Sequence, residues 1–344
     1  MNVFTNYLEK LGNNFLVSAM VPSLALVVAS ILVFDPIIHV TVLFERQDSI
    51  YQIVGFGLLL FILTVIIGFT LTALNTFVLK LFEGYVFFHR IPFMYNWMLR
   101  NQHKKANSLL RRQAILKKRI QVLEECFNET DRTRKIVRKL KQEYYTITSE
   151  YDHTYPPNLG EILPTQFGNI LKASELYPGT RYGLDGVEFW PRLIHVIPDE
   201  YQQKIDNSRN ELSFLVNMSI LSIVFYLFCI IAMFYTLAAA PDTLSGASLL
   251  FDTLGKALRY VVAGLIGLGF NMFFNRASIF SVSSFGLMIR SAYDLFRIDL
   301  LKQLRLKQPA NSIEEFAMWK NLNEFVVLGK HSLIFKKLVY RSKD

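Results

Sequence analysis

The run Ile53–Leu79, IVGFGLLLFILTVIIGFTLTALNTFVL, is 27 residues long and carries no charged side chain. An α-helix needs about 20 apolar residues to cross the hydrocarbon core of a bilayer. A membrane-spanning helix is therefore predicted over about residues 53–79. Because this run is longer than a bilayer requires, we expect the helix to tilt or to protrude.

Three further apolar runs predict three more spans, over about residues 15–34, 212–240 and 258–274. The first run is too long for the apolar region of a typical signal peptide, and a second span follows it, so we expect it to be retained. The chain of 344 residues is 52% hydrophobic and has a mean hydropathy of +0.28. Together these features predict an all-α integral membrane protein with four transmembrane helices and a cytoplasmic helical domain.

Charges between the apolar runs predict the orientation of the spans. The loops over residues 35–52 and 242–256 have net charges of −2 and −1, whereas residues 90–141 contain 15 Lys and Arg against four acids. The tail, residues 276–344, contains 12 Lys and Arg against six acids. Because Lys and Arg concentrate in cytoplasmic loops, we expect residues 91–211, the tail and both termini to lie in the cytoplasm.

This orientation divides the chain into four predicted segments. Residues 1–90 contain the first pair of spans, and residues 91–211 form a basic cytoplasmic helical domain. Residues 212–275 contain the second pair of spans, and residues 276–344 form a cytoplasmic amphipathic tail. The expected partner of the spans is the lipid bilayer.

The first half of the basic domain predicts a helical hairpin. Helical patterns over about residues 104–127 and 129–151 would leave a narrow apolar seam and a basic outer surface. Such a surface would attract anionic lipids or a cytosolic protein partner. The lack of any RNA- or DNA-binding motif argues against nucleic acid. The candidate binding residues are the basic side chains Arg111, Arg112, Lys117, Lys118, Arg119, Arg134, Lys135, Arg138 and Lys139.

The second half of this domain, residues 165–198, is rich in Gly, Pro and aromatic residues and is nearly balanced in charge. On a helix, several of four residues would approach one another, which invites an enzymatic interpretation: Asp185, Glu188, Arg192 and His195. Their apolar and aromatic neighbours favour a packed structural segment instead. Because the segment leads directly into the third span, we expect it to couple the domain to the membrane, with Asp185, Trp190 and Arg192 as the coupling candidates.

Polar and small residues within the predicted spans are candidates for either helix packing or pore lining, and the sequence leaves both interpretations open. Glycines allow close helix crossings, and amides inside a membrane face protein or water because they need hydrogen-bond partners. Asn271 and Asn275 are four residues apart and so share a helix face. The full set of candidates is Thr72, Asn75, Gly264, Gly267, Asn271 and Asn275.

The sequence lacks the common signatures of catalysis. It contains no phosphate-binding loop, metalloprotease, nucleophile-elbow or kinase motif, and its Cys and His spacing does not suggest zinc. Cys126 in the polar block and Cys229 in an apolar run are separated by the membrane boundary, which is consistent with reduced thiols. We therefore expect neither enzyme activity nor a cofactor nor a metal site.

One segment resembles other proteins. The run Phe167–Ala173, FGNILKA, followed by Tyr182–Asp185, YGLD, and Trp190–Leu193, WPRL, resembles a pattern in uncharacterised bacterial multi-span membrane proteins. The resemblance implies a multi-pass protein of the plasma (inner) membrane. It implies no activity, substrate or catalytic residue.

Two functional hypotheses follow from the sequence. The favoured one is an oligomeric membrane channel or pore-forming effector controlled by its cytoplasmic helical domain, because Thr72, Asn75, Asn271 and Asn275 fall near the cytoplasmic ends of their spans. Four spans rarely enclose a pathway alone, so this hypothesis requires a homo-oligomer. The alternative is a membrane-anchored adaptor or sensor that recruits a cytosolic partner and has no transport activity.

Overall fold

The computed structural model describes residues 15–38, 50–86, 90–126, 131–238 and 247–329, and over these residues it contains helices and no strand. The all-α prediction is therefore confirmed for this part of the chain. We number the α-helices in chain order: α1 Val21–Ile38, α2 Ile50–Glu83, α3 Pro92–Cys126, α4 Asp131–Thr154, α5 Gln166–Tyr182, α6 Gly186–Leu193, α7 Asp199–Ala238, α8 Ala247–Gln303 and α9 Ser312–Leu328.

Four of the described helical segments are long and apolar enough to cross a membrane, as predicted: Leu16–Phe34, Val54–Glu83, Asp199–Ala238 and Thr253–Gln303. The last two are much longer than a bilayer requires. Helix α8 joins the predicted fourth span and the amphipathic start of the tail into one helix of 57 residues. The polar pair Asn275 and Arg276 lowers the hydropathy there, but neither residue breaks a helix.

The chain forms two compact units. The first, which we call the span unit, comprises Met1–Leu79 and Asn207–Ser281, and the second, the helical unit, comprises Lys80–Asp206 and Val282–Asp344. The boundaries between the units fall inside α2, α7 and α8.

In the span unit, a proline near the start of α1 is accommodated by two local features. Pro22 has no N–H group and cannot donate to the carbonyl of Ser18 four residues earlier. A π-helical turn, Leu16–Met20, directly precedes α1. The side-chain amide of Asn217 in α7 donates to the Ser18 carbonyl at 2.7 Å, and Asn217 is only 2% exposed. The amide thus joins α7 to the residues in front of α1.

In the helical unit, α3 and α4 pack against each other as the predicted hairpin. Polar contacts lie along its length: Gln113 donates to the Thr148 hydroxyl at 2.9 Å, and Lys141 lies 2.7 Å from a carboxylate oxygen of Glu124. Ala106, Tyr151 and nearby apolar residues form a small buried cluster near the start of α3 and the end of α4. The hairpin prediction is therefore confirmed.

The main core of the helical unit is formed by α6, α9, the start of α7 and the last part of α8, together with the residues that join α5 to α6. Its fully buried side chains include Leu184, Phe189, Tyr293, Leu301 and Trp319. The rings of Phe189 and Trp319 meet edge to face, with centroids 5.6 Å apart, an arrangement that aromatic pairs favour. This core fixes the second half of the predicted cytoplasmic domain against the tail.

Thr165 joins the end of α2 to the start of α5 within the helical unit. Its hydroxyl lies 2.7 Å from the Phe82 carbonyl and 3.0 Å from the Glu83 carbonyl, and it accepts a hydrogen bond from the backbone N–H of Gly168 at 3.0 Å. A Cβ atom on Gly168 would lie 2.3 Å from the Glu83 carbonyl oxygen. Only glycine therefore permits this approach of the two helices.

Replacing Gly168 by alanine is expected to destabilise the helical unit by about 1–3 kcal/mol, because the new methyl group must displace the backbone of α2. The measurement is thermal unfolding of the full-length protein followed by tryptophan fluorescence. All three tryptophans of the chain, Trp97, Trp190 and Trp319, lie in this unit.

Gly179→Ala is the matched control in the same helix. A Cβ atom there would meet only the Leu184 carbonyl at 3.7 Å, an ordinary contact. Alanine is a better helix former than glycine, so Gly179→Ala should leave the unfolding temperature unchanged or raise it. Equal losses from both substitutions would contradict this account of the junction.

Candidate functional site

Three of the six candidates in the spans meet at the crossing of α7 and α8. The Asn271 amide donates to the carbonyl and to the hydroxyl of Ser219, at 2.8 and 2.9 Å. A Cβ atom on Gly264 would lie 3.3 Å from Cβ of Cys229, and one on Gly267 would lie 2.9 Å from the ring of Phe225. In the span unit these residues serve the close packing of two helices.

The other three span candidates do not join this crossing. The Thr72 hydroxyl donates to the Gly68 carbonyl of its own helix at 3.0 Å, and the side chain of Asn275 is exposed on α8. Asn75 on α2 differs, because its side-chain oxygen is buried and accepts no hydrogen bond from the described residues.

All nine predicted basic residues of the hairpin are exposed. Arg112 lies 3.5 Å from Glu143, and Arg134 lies 3.9 Å from Asp131. Within the described ranges, the others make no ion pair: Arg111, Lys117, Lys118, Arg119, Lys135, Arg138 and Lys139. Their charges are consequently available to an anionic surface.

The hairpin also exposes apolar side chains. Ile115 and Val122 on α3 are 58% and 46% exposed, and Ile136 on α4 is 47% exposed. An open groove of about 770 Å³ follows α4, where Val137 and Tyr145 lie beside Arg134 and Arg138. This surface combines positive charge with exposed apolar area.

The predicted coupling residues take structural roles around α6. Asp185 caps the helix by accepting hydrogen bonds from the backbone N–H groups of Val187 and Glu188, at 2.9 and 3.0 Å. Trp190 packs against Tyr293, with ring centroids 5.9 Å apart, whereas Arg192 is exposed over the face of Phe189. His195 is also exposed, and no cluster of catalytic type forms here.

A polar cluster that the sequence did not predict surrounds Asp294 on α8. Its carboxylate accepts hydrogen bonds from the hydroxyls of Tyr177 and Tyr182, at 3.0 and 2.6 Å. The guanidinium of Arg297 lies over the ring of Tyr182, 3.9 Å from its centroid, and donates to Glu315 at 2.7 Å. The cluster links α5, α8 and α9 of the helical unit.

Burial, followed by hydrogen bonding to Asp294, raises the pKa values of Tyr177 and Tyr182 above the usual tyrosine range. Both phenols keep their protons at neutral pH, and each donates a hydrogen bond to the carboxylate. The Asp294 carboxylate therefore accepts its side-chain hydrogen bonds from the two tyrosines.

Next to this cluster, a cavity of about 700 Å³ opens between α4, α5 and α8. Arg290 lines the cavity and is only 5% exposed. One of its terminal nitrogens donates to the Asp152 carbonyl at 2.8 Å, and its guanidinium lies 5.1 Å from the centroid of the Tyr177 ring. Its Nε atom is buried without a hydrogen-bond partner among the described residues.

No protein-family model, no curated protein and no solved structure matches this chain. The resemblance carried by residues 167–193 therefore stays a prediction. The described residues also contain no group of three His, Cys, Asp or Glu side chains placed to hold a metal ion.

The Asp294 cluster and the cavity left only a weak signal in the sequence. Arg290, Asp294 and Arg297 recur at intervals of four and three, which places them on one face of α8. Their partners Tyr177 and Tyr182 are more than 100 residues away in the chain, so no local pattern connects them. The sequence predicted an amphipathic helix here but not the site.

Asn271→Leu should loosen the crossing of α7 and α8 by about 1 kcal/mol, because an amide bonded to a neighbouring span contributes roughly that much in a membrane. The readout is the temperature at which Cys229, buried beside Gly264, reacts with a maleimide, in full-length protein carrying Cys126→Ser. We expect the reaction to begin at a lower temperature. Asn275→Leu, on the exposed surface of α8, is the control and should not change it; a shift in both would refute the assignment.

Proposed function

We propose that this protein is a membrane-anchored adaptor of the plasma (inner) membrane, with both termini and residues 91–211 in the cytoplasm. Its four apolar helices hold the chain in the bilayer, and the hairpin of α3 and α4 recruits a cytosolic protein partner. The observation that carries the proposal is the surface of the hairpin, where unpaired basic side chains lie beside exposed apolar ones.

The hairpin surface suits an acidic, amphipathic partner segment. Ile115 and Val122 are seven residues apart and therefore share a face of α3, as the contact positions of a docked helix do. Lys118 and Arg119 lie between them in the sequence and carry the positive charge of the same helix. Apolar burial would supply affinity, while the cations would favour acidic partners and speed association.

The contacts within the span unit support an anchoring role. Asn217 and Asn271 donate to backbone carbonyls of neighbouring segments of the unit, and the Ser23, Thr64 and Ser222 hydroxyls donate to carbonyls of their own helices. Side-chain donors engaged in this way stabilise a helix bundle.

The adaptor is tested by placing a photo-crosslinking amino acid at Val122 in the full-length protein in cells. We expect a crosslinked protein, identified by mass spectrometry, and a direct complex between that purified protein and the full chain in nanodiscs. Ile115→Lys should weaken the complex at least about tenfold by placing a charge in the apolar contact.

Ile313→Lys is the matched control for the adaptor. Ile313 is 82% exposed on α9, outside the hairpin, so this substitution should leave the complex unchanged. Crosslinks to lipid alone, or a complex that Ile115→Lys does not weaken, would refute the adaptor.

We propose as the second candidate the oligomeric channel that the sequence favours. It is supported by Asn75, whose buried side-chain oxygen lacks a donor in the described part of the chain. An unmatched amide in a span is costly, and a second copy of the chain or water in a pathway would supply the missing donor.

The channel is tested with purified full-length protein in liposomes. The expected result is an oligomer in nanodiscs that conducts ions, with a conductance that Asn75→Leu changes and Thr72→Val leaves unchanged, because the Thr72 hydroxyl is already bonded to Gly68. A monomer without ion flux would exclude the channel and leave the adaptor standing.

A further inference from the structure

The buried guanidinium of Arg290 lacks a compensating carboxylate. Among the described residues, no carboxylate oxygen lies within ion-pair distance of it; its contacts are the backbone carbonyl of Asp152 and the ring of Tyr177. Taking a cation out of water costs several kcal/mol unless an anion or several good acceptors replace the water. One carbonyl and one ring replace only part of that hydration.

The nearest acid on the same helix is already engaged. Asp294 accepts hydrogen bonds from Tyr177 and Tyr182, so it is held by two neutral donors instead of the arginine. The carboxylate of Asp152 is on an exposed residue at the cavity, where water screens its charge. An anion that enters the cavity is therefore the group best placed to neutralise Arg290.

Donors on the other walls suit a phosphate. Arg181, an exposed residue of α5, supplies a second guanidinium, and the hydroxyl-bearing residue Ser149 lines the same cavity. Guanidinium groups bind phosphate through two parallel hydrogen bonds, and three phosphate oxygens can use several donors at once.

The size of the cavity indicates more than a free ion. A volume of about 700 Å³ falls in the range of small-molecule sites. Tyr145 lies at the cavity and is 67% exposed, so its ring offers an apolar surface to the remainder of a ligand. An apolar or aromatic group of the ligand that packs against the Tyr145 ring would add to the affinity.

We propose that this cavity is a binding site for a small phosphate monoester, whose phosphate group contacts Arg290 and Arg181 and whose organic part packs against Tyr145. The site lies apart from the exposed faces of Ile115 and Val122, and the proposal goes beyond the adaptor function. It would give the helical unit a small-molecule ligand in addition to a protein partner.

The test uses full-length protein in nanodiscs and titrates phenyl phosphate by calorimetry. Binding should weaken at least about thirtyfold in Arg290→Met, because removing one side of a buried charged pair costs 2 kcal/mol or more. Arg290→Met should also raise the unfolding temperature without ligand, since an apolar side chain of similar size relieves the desolvation of the cation. A purely structural arginine would give the opposite shift.

Two exposed arginines provide a second, folding-independent comparison. Arg181→Gln should weaken phenyl phosphate binding about tenfold, the loss of one charge-assisted contact. Arg192→Gln, on α6 outside the cavity, should leave the affinity unchanged. Full affinity in both Arg290→Met and Arg181→Gln would overturn the proposal, as would the absence of any binding by the wild-type protein.

Competition with other ligands distinguishes the possible sources of the phosphate group. Competition by inorganic phosphate alone, or by vesicles containing phosphatidic acid, would support the phosphate site and identify a free anion or a lipid headgroup as its source. Equally tight binding of benzoate would overturn the assignment to phosphate. Protein crosslinks at Val122 depend on none of these results, so failure of the ligand site and failure of the adaptor are distinguishable.

Discussion

The helical unit depends on the junction at Thr165. Its hydroxyl contacts the last carbonyls of α2 and accepts a hydrogen bond from the Gly168 N–H in the first turn of α5, so one side chain bonds groups at two helix ends. Asn169, fully buried beside it, bonds both the N–H and the carbonyl of Leu163 and so fixes the preceding loop. These contacts fix the start of α5 and thereby position the rest of the helix, which approaches α8 closely at Gly286.

The hairpin and the spans could be predicted because each is encoded by a local pattern. A run such as Ile53–Leu79 is long and apolar enough to predict a membrane span, and the alternation of apolar and basic residues over 104–151 predicts two amphipathic helices. The continuity of α8 could not be predicted from hydropathy, which falls at Asn275 although helix formation continues. The roles of Thr165 and Gly168 could not be predicted, because both residues contact the carbonyl of Glu83, which lies more than 80 positions earlier in the chain.

The candidate cavity could not be predicted from the sequence for the same reason, because its residues are distant in the chain. Arg290 and Asp294 occupy one face of a helix that the sequence could identify, yet their chemistry depends on Tyr177 and Tyr182 from α5. Because the tyrosines engage Asp294, an arginine four residues away lacks the ion pair that its spacing would suggest. The nine basic residues of the hairpin are evident in the sequence, whereas the burial of Arg290 depends on contacts with distant residues.

Pro22 has a consequence for motion within the span unit. Because the proline cannot donate to the Ser18 carbonyl, the side-chain amide of Asn217 supplies a hydrogen bond to that carbonyl from a different helix. Sliding the first candidate span along α7 by one turn, about 5.4 Å, would separate this donor from its acceptor. Proline is usually regarded as a point of bending in a membrane helix. Here its missing N–H also leaves the Ser18 carbonyl open to Asn217, and this hydrogen bond sets the axial position of the first span against α7.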